Sequence, residues 1–296
     1  MKGKKALRVS RIVVGLQILF VAAFVVASLF YSSFFDESEH YDLVINNGRV
    51  IDPETHLDAV RHIGIRDGTI VAISDQPLNS EINIDAADLV VAPGFIDVHS
   101  HSPTVLGQHF NVLDGVTTQL DLEAGSFPVS FYGEHLRAGA AINYGSSVGH
   151  YAVRIKVLEG IDQPYIFAGD KAIVMGSPAW MQEATPEQIE QMRVLLHKGL
   201  DEGGLGIGVL LDYMTAAVSD AELAMLFEVA AARDVPIYVH VRRGYTGDPA
   251  GLIEVVELAK STKAALFVCH ITHNAMGRIG DWLAMIDEAN RAGANI

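Results

Sequence analysis

Three textures of apolar and polar positions follow one another along the chain. The first is continuous. Ile12 to Tyr31 carries no charge, is interrupted only by Gly15, Gln17 and Ser28, and follows Lys2, Lys4, Lys5, Arg8 and Arg11. About twenty apolar residues at helical rise match the hydrocarbon thickness of a bilayer. Residues 1–35 are therefore expected to form a transmembrane signal anchor, with its basic end in the cytoplasm and the rest of a single-pass protein exported to an extracytoplasmic space such as the periplasm. The alternative is a signal peptide cut near Val26-Ala27-Ser28, which would leave the rest secreted. Residues 32–41 (SSFFDESEHY) read as a linker.

The second texture is short strands around tight turns. YDLVINNGRVID sets Asn47-Gly48 between two apolar runs, HIGIRDGTIVAIS does the same with Asp67-Gly68, and INIDAADLVVAPG adds further strands. Asn-Gly and Asp-Gly between apolar runs predict β-hairpins. Residues 41–92 are expected to form a small β-sandwich module.

From Gly94 the texture alternates between strand-like apolar runs and helix-period segments. Six runs read as strands: FIDVH, VTTQLDLE, AAINYGSSV, LGIGVLLDY, IYVHV and ALFVCH. Between them, Thr185 with Pro186 and Gln188 predicts a capping box at the start of a helix striped by Ile189, Met192, Leu196 and Leu200. Ser219 and Glu222 predict a second box ahead of Leu223, Leu226, Phe227 and Ala230. A helix from about Pro249 to Lys260 and another carrying Ile279, Trp282, Leu283 and Ile286 complete the series. The rhythm fits an α/β fold, residues 93–296 supplying about six units of a (β/α)₈ TIM-type barrel, or a doubly wound open sheet. Polar residues gather at the strands' C-terminal ends, which favours the barrel.

Charge and cysteine content narrow the function. A net charge of −15 gives no basic face for nucleic acid. The single cysteine, Cys269, excludes a disulfide framework and a cysteine-rich zinc finger, and its apolar run makes it a core residue. The strand ends are richer. His99 and His101 close the first, on one face by strand alternation, although a lone H-x-H arises readily by chance among twelve histidines. Asp121 and Glu123 share a face at the end of the second. His240, followed by Arg242 and Arg243, closes the fifth; His270 and His273 follow the sixth. Four strands of one series ending in histidine or carboxylate point to a metal site.

The segments GRVIDPETHLDAVRHIGIRDGTIVAI, APGFIDVHSH and DGVTT resemble the amidohydrolase superfamily, in which a β-sandwich precedes a (β/α)₈ barrel holding one or two divalent metals, commonly zinc. GSSVGHYAVR, the run ATPEQIEQMRVLLHKGLDEGGLGIGVLLDY and YVHVRRG are similar to its N-acyl-D-amino-acid deacylase (D-aminoacylase) branch. The resemblance implies that His99 and His101 bind a first metal, that Glu123 (or, less expected, Asp121) bridges to a second, and that His240 and His270 (or, less expected, His273) bind that second metal. It implies that Arg242 or Arg243 clamps the carboxylate of an N-acyl amino acid and that His150, in the Gly-His turn after the third strand, lines the substrate pocket. The implied chemistry is hydrolysis of a non-peptide C–N bond by metal-activated water.

The chain departs from that pattern in two ways. Ser102-Pro103 follows the H-x-H where the branch has acidic residues, and Ala124 stands near the position of the branch's usual cysteine. The superfamily's strand-eight aspartate, a metal ligand and proton shuttle, has no candidate, so the chain is expected to be a fragment that is inactive alone and contains no catalytic residue of its own. The rival readings are a cyclic amidase resembling dihydroorotase or hydantoinase, disfavoured because no lysine follows GVTT at the bridging position, and a membrane-tethered binding protein that has lost catalysis.

Overall fold

A computed structural model describes residues 40–101, 103–166, 176–214, 217–242 and 247–296. The apolar run Ile12–Tyr31 lies outside them, and among the described residues no helix is long and apolar enough to cross a membrane. The chain divides into two compact units, residues 1–93 and 94–296.

The first unit is one five-stranded sheet: β1 (Leu43–Asp52), β2 (Leu57–Arg66), β3 (Thr69–Ser74), β4 (Ile82–Asp85) and β5 (Val90–Val91). Their order is β3-β2-β1-β4, with β5 also on β1. Among the described residues these strands make a single sheet, and a second sheet of the expected sandwich is not seen there. Registers Ile45↔Ile63, Ile63↔Ile73, Leu43↔Ile82 and Ile45↔Ile84 place Ile73, Ile82 and Ile84 on one face. Those three remain 45–58% exposed, while Ile63 on the same face is buried.

One hairpin also moves. Asp67-Gly68 makes the two-residue turn between β2 and β3, with φ of 50° and 72°, as an Asp-Gly turn requires. Asn47-Gly48 does not turn the chain. It sits inside β1 as a bulge, the register slipping between Ile45 and Gly48 with Asn47 at φ 65°. The β1–β2 turn instead falls at residues 53–56, where Asp52 accepts from the Glu54 amide at 3.1 Å and the Thr55 hydroxyl at 2.5 Å.

The second unit is a parallel sheet in sequence order: β6 (Phe95–Asp97), β7 (Val116–Ser126), β8 (Asn143–Gly149), β9 (Ile207–Leu210), β10 (Ile237–His240) and β11 (Leu266–Val268). All six predicted strands are present. The helices are α1 (Val105–Leu113), α2 (His150–Glu159), α3 (Pro178–Met181), α4 (Pro186–Asp201), α5 (Asp220–Ala232), α6 (Ala250–Thr262), α7 (Ile271–Ala275) and α8 (Ile279–Arg291). The sheet curls into an incomplete barrel, for the rings of His99 and His270, next to opposite edge strands, stand 5.2 Å apart. Curling brings β7 onto β9, and Gly208 is required there: a Cβ would lie 2.4 Å from the Glu123 carbonyl oxygen.

The α4 capping box forms as the sequence predicts, with Thr185 and Gln188 exchanging bonds of 3.3 and 2.9 Å. Met192, Leu196 and Leu200 bury its stripe among Val148, Ile207, Val209, Ile237 and Val239. Burying each such side chain contributes about 1.5–3 kcal/mol. The second box is half made. Ser219 accepts from the Glu222 amide at 3.3 Å, but the Glu222 carboxylate turns into the protein.

Candidate metal centre

The two histidines after β6 are held by the backbone. Ser100 N–H donates to the Leu120 carbonyl at 3.0 Å, which tucks Ser100 inward and leaves the flanking imidazoles directed together. His270 follows β11 in left-handed backbone (φ 30°, ψ 49°), a conformation that a non-glycine residue adopts at a cost and that clusters at functional sites.

These elements converge on Glu123, which is buried near the end of β7. Its Oε2 lies 3.5 Å from His99 Nε2 and 3.3 Å from His101 Nε2. Its Oε1 lies 3.0 Å from His240 Nδ1 and 2.6 Å from His270 Nε2. Two groups thus form around one carboxylate, His99–His101–Glu123 and Glu123–His240–His270. Within each, the donor atoms are within 4.8 Å of one another, the spacing a metal ion needs. Every ligand residue expected first from the sequence lies in one of the two groups.

The second group carries a sign of something to be bound. His240 Nδ1, although 3.0 Å from Glu123 Oε1, makes no well-aligned hydrogen bond to it, and His240 Nε2 and His270 Nδ1 are buried without a hydrogen-bond partner among the described residues. Leaving such atoms unpaired costs free energy that a cation on the imidazole lone pairs would offset. The charges respond to one another. Burial alone would raise the Glu123 carboxyl, but the surrounding imidazoles hold it well below the usual carboxylate range. Burial alone would lower His101, but its bonds to Asp121 and Glu123 carry it up to about 10. His99 is lowered, chiefly by burial.

Asp121, the alternative bridge, has a different place. It is fully buried, and its oxygens take His101 Nδ1 at 3.0 Å, Tyr165 Oη at 2.6 Å and the amides of Ala124 and Gly125 at 3.2 Å each. It stands behind His101, in neither group. His273 is exposed, its ring centre 5.9 Å from that of His270, and it too lies outside both groups.

The expected substrate contacts fare differently. His150 opens α2 and is fully buried among the described residues, with Nε2 2.8 Å from Glu222 Oε1. Arg242 donates through Nε to Glu254 at 2.9 Å and through a terminal nitrogen to the Val218 carbonyl at 2.8 Å, an orientation that commits it to the protein. Arg243 lies outside the described residues. Two neighbours were not singled out from the sequence. Asp212 Oδ2 is 3.6 Å from His240 Nε2, and the Tyr213 ring centre is 5.1 Å from that of His240. They end the run LGIGVLLDY, so the strand-end rule applied to the fourth strand would have found them. Tyr165, far from any strand end, carried no such signal.

No family model matches the chain. It is 30% identical to an N-acyl-D-glutamate deacylase of Alcaligenes xylosoxydans xylosoxydans over 284 residues, 87% of this chain and 56% of that protein. It is 26% identical to a D-aminoacylase of the same organism over 274 residues, 82% of this chain and 52% of that protein. Dihydroorotases and allantoinases match as well. Among solved structures, an N-acyl-D-glutamate deacylase from Bordetella bronchiseptica, complexed with zinc and a phosphonate mimic of the tetrahedral intermediate, superposes with a TM-score of 0.66 at 25% identity, covering 86% of this chain and 57% of that one. The chain spans about half the length of the curated relatives it matches. With two histidine pairs meeting on one carboxylate at the strand ends of a curled parallel sheet, the chain is similar to the D-aminoacylase and N-acyl-D-glutamate deacylase branch of the amidohydrolase superfamily.

Proposed function

We propose that the chain supplies the metal-binding part of a hydrolase that cleaves the amide bond of an N-acyl amino acid. One observation carries the reading: Glu123 gives one oxygen to each of two histidine pairs. His99, His101 and Glu123 would hold one divalent ion, and Glu123, His240 and His270 a second. Imidazole with carboxylate suits zinc. Zinc bound there supplies a Lewis acid and lowers the pKa of a coordinated water. The protein's own part is to keep the donors fixed, Glu123 by its burial and His101 by Asp121.

The proton-shuttling aspartate that the resemblance implies has no counterpart among the described residues. Asp121 is enclosed, and Asp212 stands by the second nitrogen of His240. We therefore expect the purified 296-residue chain to bind zinc, up to two equivalents by metal analysis after dialysis, without amidase activity. Robust zinc-dependent deacylation by this chain would overturn the second half of that expectation. Failure to retain any zinc would overturn the first.

A cyclic-amidase reading draws on the match to dihydroorotases and allantoinases. Against it, β7 contains no lysine to be carbamylated as a bridge, and Glu123 occupies the bridging place. Export behind a membrane anchor rests on the composition of residues 1–35. Retention of the protein in alkaline-washed membranes tests the anchor against a cleaved signal.

A further inference from the structure

Behind His99 and His101 lies a set of buried polar groups that the hydrolytic reading does not use. Asp121 precedes Glu123 by two residues on β7, so both side chains leave the same face of the strand. Their surroundings differ completely. Asp121 Oδ2 accepts from His101 Nδ1 and from Tyr165 Oη, and Oδ1 accepts from two successive backbone amides. Four donors occupy the carboxylate, which leaves no oxygen directed at a cation.

Two more tyrosines brace the same segments. Tyr132 Oη donates to the Ser100 carbonyl, between the two histidines, at 3.2 Å. Tyr151 Oη donates to the Gly125 carbonyl, two residues past Glu123, at 3.3 Å. The rings of Tyr132 and Tyr165 meet edge to face, their centres 5.7 Å apart. Each of the three reaches in from a different segment of the chain.

A carboxylate on one imidazole nitrogen fixes the tautomer and the ring plane. The proton stays on the nitrogen facing the carboxylate, and the lone pair is presented by the other. Here the proton belongs on Nδ1, and the lone pair is presented by Nε2, which faces Glu123. We propose that Asp121 is a positioning residue for His101, that Tyr165 holds Asp121 in place, and that the pair tunes the His99–His101–Glu123 metal position selectively. His240 and His270 meet the other oxygen of Glu123, Oε1, and not the one that faces His101. The inference rests on the metal reading above.

Zinc titration of the full chain against a competing chelator tests it, with the wild type, Asp121→Asn and Tyr165→Phe compared. Loss of an outer partner typically weakens a metal position about 10–100-fold. Asp121→Asn keeps the shape of the side chain but loses the charge and one acceptor. It should weaken one of the two zinc equivalents by that factor and leave the other unchanged. Tyr165→Phe leaves Asp121 three donors and should weaken the same equivalent less. With cobalt in place of zinc, the visible absorption bands of one position should change and those of the other persist, a signature that general loosening does not give. Equal weakening of both equivalents, or of neither, overturns the inference while the metal reading stands. A wild-type chain that binds no zinc overturns the metal reading and takes this inference with it. Should Asp121→Asn fail to fold, Tyr165→Phe carries the same test.

Discussion

Two buried carboxylates in the half-barrel, Glu222 and Glu123, make opposite use of their surroundings. Glu222 is closed. It pairs with the Arg154 guanidinium and with His150, and all three are fully buried. Arg154 also donates to the carbonyls of Ala179 at 2.6 Å, Ala217 at 2.9 Å and Gln182, so a permanent cation from the chain answers the charge. One ring nitrogen in that cluster, His150 Nδ1, lacks a partner. Glu123 is ringed instead by four imidazoles, and His240 Nε2 and His270 Nδ1 lack a hydrogen-bond partner among the described residues. A carboxylate with its own arginine holds a fold together. One that meets only imidazoles is built to receive a cation from outside.

Breaking the closed cluster should give the largest effect. Arg154→Met strands the Glu222 charge away from water, and breaking a buried pair in this way costs about 3–5 kcal/mol. Urea unfolding of the zinc-free chain should show that loss, and Arg154→Met with Glu222→Leu should recover most of it. A loss below about 1 kcal/mol, the ordinary value of a surface pair, would place Glu222 with the solvated carboxylates instead.

The open cluster should behave in reverse. Glu123→Gln removes a buried charge answered by imidazoles rather than by a permanent cation, so the zinc-free chain should lose less stability than with Arg154→Met. Zinc at a hundredfold excess over its dissociation constant should stabilise the wild type by about 2.7 kcal/mol. Glu123→Gln should abolish that gain, because the carboxylate serves both groups. Calorimetry with and without zinc reads both quantities. A variant that kept the zinc-dependent gain would show that the histidines suffice and that Glu123 is another buried acid.

The contrast also marks what the sequence made legible. Strand ends are local, so His99, His101, Glu123, His240 and His270 could be read from apolar runs that each close on a polar residue. The α4 cap and stripe were legible for the same reason: spacing within one helix decides both. The partners of Glu222 were not, because Arg154 and His150 lie 68 and 72 residues away. Ser219 and Glu222 looked like a capping box, and burial of the carboxylate overrode that local pattern. Asp121 was legible as a candidate ligand, but its role depends on Tyr165, 44 residues downstream. The Asn47-Gly48 bulge failed likewise, since the local signal for a turn also fits a left-handed residue inside a strand.

The smallest expected effect is one of pH, and it separates Glu222 from His101 by sign. Burial raises Glu222, but His150 and Arg154 outweigh it and hold the carboxyl below its usual range. A lowered carboxyl stabilises the fold above its unfolded value, near 4.3, and loses that contribution as pH falls through the folded value. His101 works in the other direction. Its pKa in the zinc-free chain is carried up to about 10, so its contribution is complete below the unfolded value near 6.5 and fades as pH rises from there towards 10. Stability of the zinc-free chain should therefore decline on both sides of a plateau between about pH 4.5 and 6.5. Zinc should remove the alkaline decline alone, because a metal-bound imidazole is already deprotonated. Glu222→Gln should reduce the acid decline, the remainder coming from the lowered Glu123 carboxyl, and leave the alkaline side unchanged. Denaturant midpoints measured across pH with and without zinc check each limb, and an alkaline decline that survives zinc would separate His101 from the metal site.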